Sequence, residues 1–193
     1  MSSIPWNENF TEHMEELLKQ GFSRGLAAAL ASNADAFDHR IWVVDNSGSM
    51  QIGDGHRILE VDGRITAQPV SRWEEIQDTV LYHSQMAAVL KSPTIFRLLN
   101  DPGPTVGKKE FSVAKDGGDV VAEIRQARLI MQRTKADGVT PLTEHIWEVQ
   151  AQIRQMLPRL QQSGRRVSRW FMDFFLSFIY GLFRIFGLWT CCN

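Results

Sequence analysis

Ile41-Trp42-Val43-Val44 is an unbroken apolar run that stops on a carboxylate, Asp45. A strand with one wet face alternates apolar and polar residues. A continuous run suits a central strand that is covered on both faces. Helices are the usual cover, and parallel strands need long crossovers that can hold them. The run therefore constrains the chain to an α/β class.

The segments downstream fit that class. Residues 56–68 have the look of a small hairpin turning at Asp62-Gly63. "SRWEEIQDTVLYHSQMAAVLKSP" reads as an amphipathic helix stopped by Pro93, "TIFRLLN" as a strand, "DPGPTVGKK" as a loop and "EFSVA" as a short edge strand. "GDVVAEIRQARLIMQRTKA" reads as a helix with Val121, Ile124, Leu129 and Met131 apolar, in a unit ended by Gly138. "PLTEHIWEVQAQIRQMLPRL" reads as another, with Pro141 at its first position. Strands alternating with helices in this way predict a doubly wound, Rossmann-like, mostly parallel sheet with helices on both faces. Ahead of it, residues 8–31 read as two short helices broken at Gly21, with Leu17, Leu18, Phe22, Leu26 and Leu30 at helical spacing. The "GF" and the alanine-rich helix faintly resemble part of a ubiquitin-associated domain. That fold needs a third helix, so packing at the edge of the main domain is the expectation.

In open α/β sheets ligands bind beyond the carboxyl ends of the strands. Asp45, Ser47 and Ser49 fall there, with the spacing D-x-S-x-S. In a tight loop alternate side chains can converge. One carboxylate and two hydroxyls are all hard oxygen donors, suited to Mg²⁺ or Mn²⁺, which take six oxygens at about 2.0–2.2 Å. Neutral hydroxyls leave much of the ion's charge uncompensated, so it can still attract an acidic group from a partner. That is a device for binding rather than for catalysis. The competing reading of "DNSGS" is a plain turn, since Asp, Asn, Ser and Gly all favour turns.

"VVDNSGSM" together with "DGVTPLTEHI" resembles the metal-ion-dependent adhesion site of a von Willebrand factor type A domain. The resemblance covers residues 40–168. It implies that Asp45, Ser47 and Ser49 are ligands after the first strand and that Thr140 is a ligand from a later loop. Thr140 also stands where a helix N-cap belongs, and one residue can serve both roles. Asp137 could point into the same region. The family's last ligand, an aspartate usually followed by glycine after the fourth strand, has no counterpart. No Asp-Gly follows Asp137-Gly138, and Asp173 sits among aromatic residues without turn chemistry. A site with one carboxylate should bind the cation more weakly than one with two. The implied function is a non-catalytic, divalent-cation-dependent protein-binding module.

Composition changes abruptly at Arg169, beyond which lie six of the 11 phenylalanines. The chain thus divides into an N-terminal helical segment (1–39), the resembling domain (40–168) and an apolar aromatic tail (169–193). Three readings of the tail stay open. Val167-Ser168 can be encoded by a splice-donor-like sequence, which would make the tail translated intron. Residues 170–190 have the roughly 20-residue length of a membrane span. Arg159, Arg165, Arg166 and Arg169 flank that span, whereas Asp173 and Arg184 oppose it at up to about 3 kcal/mol each. The tail could also be a buried helix, or a strand that replaces the missing fourth one. Anchoring through the tail gives the alternative function, a membrane-tethered adaptor.

The remaining chemistry is sparse. A net charge of −1 gives no reason to expect nucleic acid. The start has neither a basic region nor an apolar run, so a cytoplasmic protein is expected. The two cysteines, Cys191 and Cys192, are adjacent and cannot build a four-ligand zinc site. "GPTVGKK" has too few residues between its glycines for a phosphate loop. No H-E-x-x-H or G-x-S-x-G occurs. His145 reads as a surface residue, Glu15-Glu16 and Glu74-Glu75 as solvated helix faces, and Trp42, Trp73 and Trp147 as packing. No constellation supports an enzyme.

Overall fold

The computed structural model describes residues 8–36, 39–115, 117–162 and 172–174. The elements are α1 (Glu8–Lys19), α2 (Arg24–Ala36), β1 (Arg40–Val44), a 3₁₀ turn (Gly48–Gln51), β2 (Gly55–Val61), β3 (Arg64–Val70), α3 (Arg72–Val89), β4 (Thr94–Leu98), β5 (Glu110–Val113), α4 (Val120–Arg133), α5 (Leu142–Gln162) and β6 (Met172–Phe174).

The apolar run is β1, and it is central. The sheet order is β5-β4-β1-β6. β1 is parallel to β4, with Ile41 opposite Ile95 and Val44 opposite Leu98, and parallel to β6, with Trp42 opposite Asp173. β5 closes the other edge antiparallel to β4. The fold is α/β with a small mixed sheet. Antiparallel pairing is more prominent than the sequence pattern suggested, because β5 and the separate β2–β3 hairpin both contribute it.

Both faces of β1 are covered, as its composition requires. Trp42 and Val44 join Phe96, Leu98, Phe111 and Val113 in a core capped by Trp73, Ile76 and Val80 of α3 and by Ala127, Ile130 and Met131 of α4. Phe96 and Phe111 stack there with ring centroids 5.1 Å apart. On the opposite face Ile41, Val43 and Leu99 pack with Val149 and Ile153 of α5. Each large side chain so buried contributes roughly 1.5–3 kcal/mol. Arg97 pins α5 to this face, its guanidinium 3.0 Å from Glu148 and 3.6 Å from its cross-strand neighbour Glu110.

Local chemistry sets the connections. Asp62 and Gly63 both have positive φ, 51° and 72°, so the hairpin turns where expected in the mirror-image geometry that suits twisted strands. α3 starts with a capping box in which the Ser71 hydroxyl accepts the Glu74 N–H and the Glu74 carboxylate accepts the Ser71 N–H. That bonding holds the Glu74 carboxyl below its usual pKa. α3 ends at Val89, before Pro93, because Lys91 takes a left-handed conformation at φ 46°. α1 and α2 lie on the C-terminal end of α3, where Leu17 and Ala27 bury Met86 and Leu90. After α2 the chain enters β1 rather than a third helix. Leu18 and Leu26, expected to be apolar contacts, are exposed instead, as are Val121 and Leu129 of α4 and Trp147 of α5.

Tail residues 172–174 form β6, parallel to β1 at one edge of the sheet. The rest of the tail, 169–171 and 175–193, lies outside the described residues, and with it most of the candidate span and of the tail's other readings. No helix among the described residues is long and apolar enough to cross a membrane.

Candidate metal centre

The loop after β1 begins buried and ends exposed. Asp45, Asn46 and Ser47 are buried, while Ser49 reaches solvent. Asp45 Oδ1 accepts the Ser47 N–H at 2.8 Å, which fixes the carboxylate against its own loop. This is the Asx-turn bond that an aspartate makes two residues ahead of an amide. It supports the turn reading of "DNSGS" without excluding the ligand reading. Ser47 Oγ lies 3.0 Å from Ser49 Oγ, so the two hydroxyls do converge. Around an octahedral cation with oxygens at about 2.1 Å, neighbouring oxygens stand about 3.0 Å apart. The same distance is an ordinary hydroxyl–hydroxyl hydrogen bond. The pair is therefore satisfied as it stands and already spaced like one edge of an octahedron.

The second loop, between α4 and α5, lies against the first. The Gly48 N–H donates to the Gly138 carbonyl at 3.0 Å, and the Asp137 N–H donates to the Asn46 carbonyl at 2.8 Å. Gln51 Nε2 donates to the Ala136 carbonyl at 2.5 Å. The two motifs, far apart in sequence, are thus adjacent along their backbones. Thr140, two residues past Gly138, is exposed, and its carbonyl accepts the Leu142 N–H at 2.8 Å. α5 begins at Leu142, so Pro141 rather than Thr140 directly precedes the helix. Asp137 is exposed and folds back on its own loop, Oδ1 accepting the Gly138 N–H at 2.7 Å.

A third loop, at the end of β4, clasps the other two. Asn46 is fully buried, with Oδ1 accepting the Asn100 N–H at 2.7 Å and Nδ2 donating to the Asn100 carbonyl at 3.2 Å. Asn100 Nδ2 in turn donates to the Val139 carbonyl at 2.7 Å. Gly138 has φ 85°, and a Cβ there would stand 3.0 Å from Asn100 Oδ1. The positive φ favours glycine, and any side chain would press on Asn100. Asn46 and Asn100 were missed by sequence reasoning.

His145 corrects an expectation. It is buried, not on the surface, and its Nε2 donates to the Leu99 carbonyl at 2.8 Å. Glu75 is not a merely solvated face either, since it accepts the His56 N–H at 3.2 Å and burial raises its carboxyl pKa. Asp173 lies opposite Trp42, three residues before Asp45 on β1, and so stands back from the sheet edge where the loops meet.

The donor set fits a hard cation in kind: one carboxylate and hydroxyl oxygens, at the carboxyl ends of parallel strands. Among the described residues no three His, Cys, Asp or Glu side chains are grouped so as to hold a metal ion. Comparison with protein-family models, with curated proteins and with solved structures finds no match.

Proposed function

We propose that residues 40–168 form a doubly wound domain of von Willebrand factor type A character, acting as a non-catalytic module that binds a protein partner through Mg²⁺ or Mn²⁺. Asp45, Ser47, Ser49 and Thr140 are the assigned ligands. The carrying observation is that the D-x-S-x-S loop and the G-x-T-P loop lie side by side, joined by Gly48 N–H to Gly138 O at 3.0 Å and Asp137 N–H to Asn46 O at 2.8 Å. The 3.0 Å hydroxyl pair adds to it.

In this reading Asp45 supplies the one negative charge, and the serine hydroxyls and Thr140 supply neutral oxygens. A bound divalent ion would keep net positive charge and an affinity for a partner's carboxylate. With a single protein carboxylate the site is weak alone and strengthened by the partner's own acidic group.

The test is a Mn²⁺ titration followed by electron paramagnetic resonance, with Mg²⁺ as competitor. Saturable Mn²⁺ binding that Mg²⁺ displaces and Asp45→Ala abolishes is the expected result. Equal Mn²⁺ uptake by wild type and Asp45→Ala would overturn the reading.

A further inference from the structure

We infer that His145 is a positioning residue for the proposed cation site, holding Thr140 in register with the β1 loop; the inference rests on the reading of that site given above. Two observations carry it. The first is a relay of hydrogen bonds from one ligand's neighbour to the other's. The Leu99 N–H donates to the carbonyl of Val44, the residue before Asp45, at 3.0 Å. The Leu99 carbonyl accepts from His145 Nε2 at 2.8 Å. The His145 N–H donates at 3.3 Å to the carbonyl of Pro141, the residue after Thr140. Leu99 is thus the shared point at which the start of α5 is bound to the end of the sheet.

The second observation is the ring's isolation. His145 is 4% exposed, and its Nδ1 is buried with no hydrogen-bond partner among the described residues. A carbonyl can only accept, so Nε2 carries a proton and donates it to Leu99. Leaving Nδ1 buried in this way costs free energy. A leucine would fill the space without that cost, so packing does not account for an imidazole here. The bond to Leu99 does. Thr140 is then bracketed: Gly138 and Val139 are tied to the β1 and β4 loops on one side, and His145 is tied to Leu99 on the other. Groups bonded directly to a metal ligand commonly alter metal affinity about 10–100-fold when removed; His145 acts one step further out, through Leu99 and Pro141.

A double-mutant cycle on the full chain, read by Mn²⁺ affinity, tests the inference. His145→Leu should weaken Mn²⁺ about tenfold in the Thr140 protein, yet by less than about twofold when Thr140 is already alanine. His145→Gln, whose amide nitrogen can replace Nε2, should restore most of the affinity. If His145→Leu does not fold, His145→Asn, polar but too short to reach Leu99, replaces it in the same cycle. An equal loss in both backgrounds would overturn the inference, because His145 would then act on the fold at large and not through Thr140. Wild-type protein that takes up no Mn²⁺ would sink the cation site itself and this inference with it. Wild-type binding with a simply additive cycle would leave the site standing and remove His145 from it.

Discussion

Asn46 and Asn100 hold each other twice, side chain to backbone, at 2.7 and 3.2 Å, as a strand pair would. The amide of Asn46 stands in for backbone just where β1 and β4 stop pairing and their loops diverge. Asn46→Leu keeps the branched outline of the side chain, though it is bulkier, and leaves the Asn100 N–H and carbonyl without these partners. The expected cost is about 2–4 kcal/mol, two bonds at 1–2 each. Urea denaturation measures it. A loss under about 0.5 kcal/mol would show that the clasp contributes nothing to the fold.

Ser47 and Ser49 separate stability from binding. Ser49 is exposed, so Ser49→Ala should change stability by less than about 0.5 kcal/mol while weakening Mn²⁺ on the order of tenfold. Ser47 is buried, and Ser47→Ala should affect both. Calorimetric titration of the two variants, paired with their thermal unfolding, checks this. Unchanged Mn²⁺ affinity in Ser49→Ala would mean that the hydroxyl pair is only a loop hydrogen bond.

Gly48 and Gly138 face each other across the two loops but differ in tolerance. A methyl at Gly48 would lie 3.5 Å from the Gly138 carbonyl, an ordinary contact. At Gly138 it would meet Asn100 Oδ1 at 3.0 Å, in a conformation of φ 85° that L-residues rarely adopt. Gly138→Ala should therefore destabilise by about 1–3 kcal/mol, and Gly48→Ala by much less. Comparable midpoints for the two variants in denaturant would contradict the loop geometry.

His83 predicts a loss of stability in mild acid. It lies against Trp42, ring centroids 4.4 Å apart, and burial lowers its pKa from 6.5 to about 4. The folded-state value is below the unfolded one, so the unfolded chain binds the proton first. The stabilisation is complete above pH 6.5, falls as the pH drops, and is gone below pH 4. Between pH 7 and pH 5 the loss should be about 2 kcal/mol. Denaturation at both values, with His83→Gln as reference, isolates the group. If wild type and His83→Gln weaken equally with acid, His83 is not the source.

The legible parts of this chain were those with a local cause. Ile41–Val44 announces a central strand by composition, and Asp62-Gly63 announces a hairpin turn by its conformational needs. The end of β1 was readable because the apolar run stops on Asp45, whereas α4 ends at Arg133, three residues short of the helix read from sequence and five before Gly138. The illegible parts have tertiary causes. Nothing near His145 in sequence shows that the Leu99 carbonyl awaits it, and its neighbours Thr143 and Glu144 suggest a wet face. Trp147 erred the other way: a large apolar ring two residues on is 70% exposed because α5 turns a different side to the sheet. β6 is three residues long, too short for any periodicity to reveal, and its partner is more than a hundred residues upstream. Within the candidate site the asparagines that join the loops could not be read, because their partners lie 39 and 54 positions away.

Those separations also bear on when the site comes into being. The loops that meet around Gly138 are spaced by 54 positions from Asn46 to Asn100 and 39 more from Asn100 to Val139. Closing each span costs chain entropy before any contact rewards it, and contacts of this range form slowly relative to helices and hairpins. A nascent chain that has emerged as far as β5 already has the D-x-S-x-S loop but not the loop that lies against it. The apposition of the two loops, and with it the proposed cation site, is thus a late product of folding. Metal uptake, followed in a refolding experiment, would report the arrival of the α4–α5 segment on the sheet rather than the formation of the strand that begins the site.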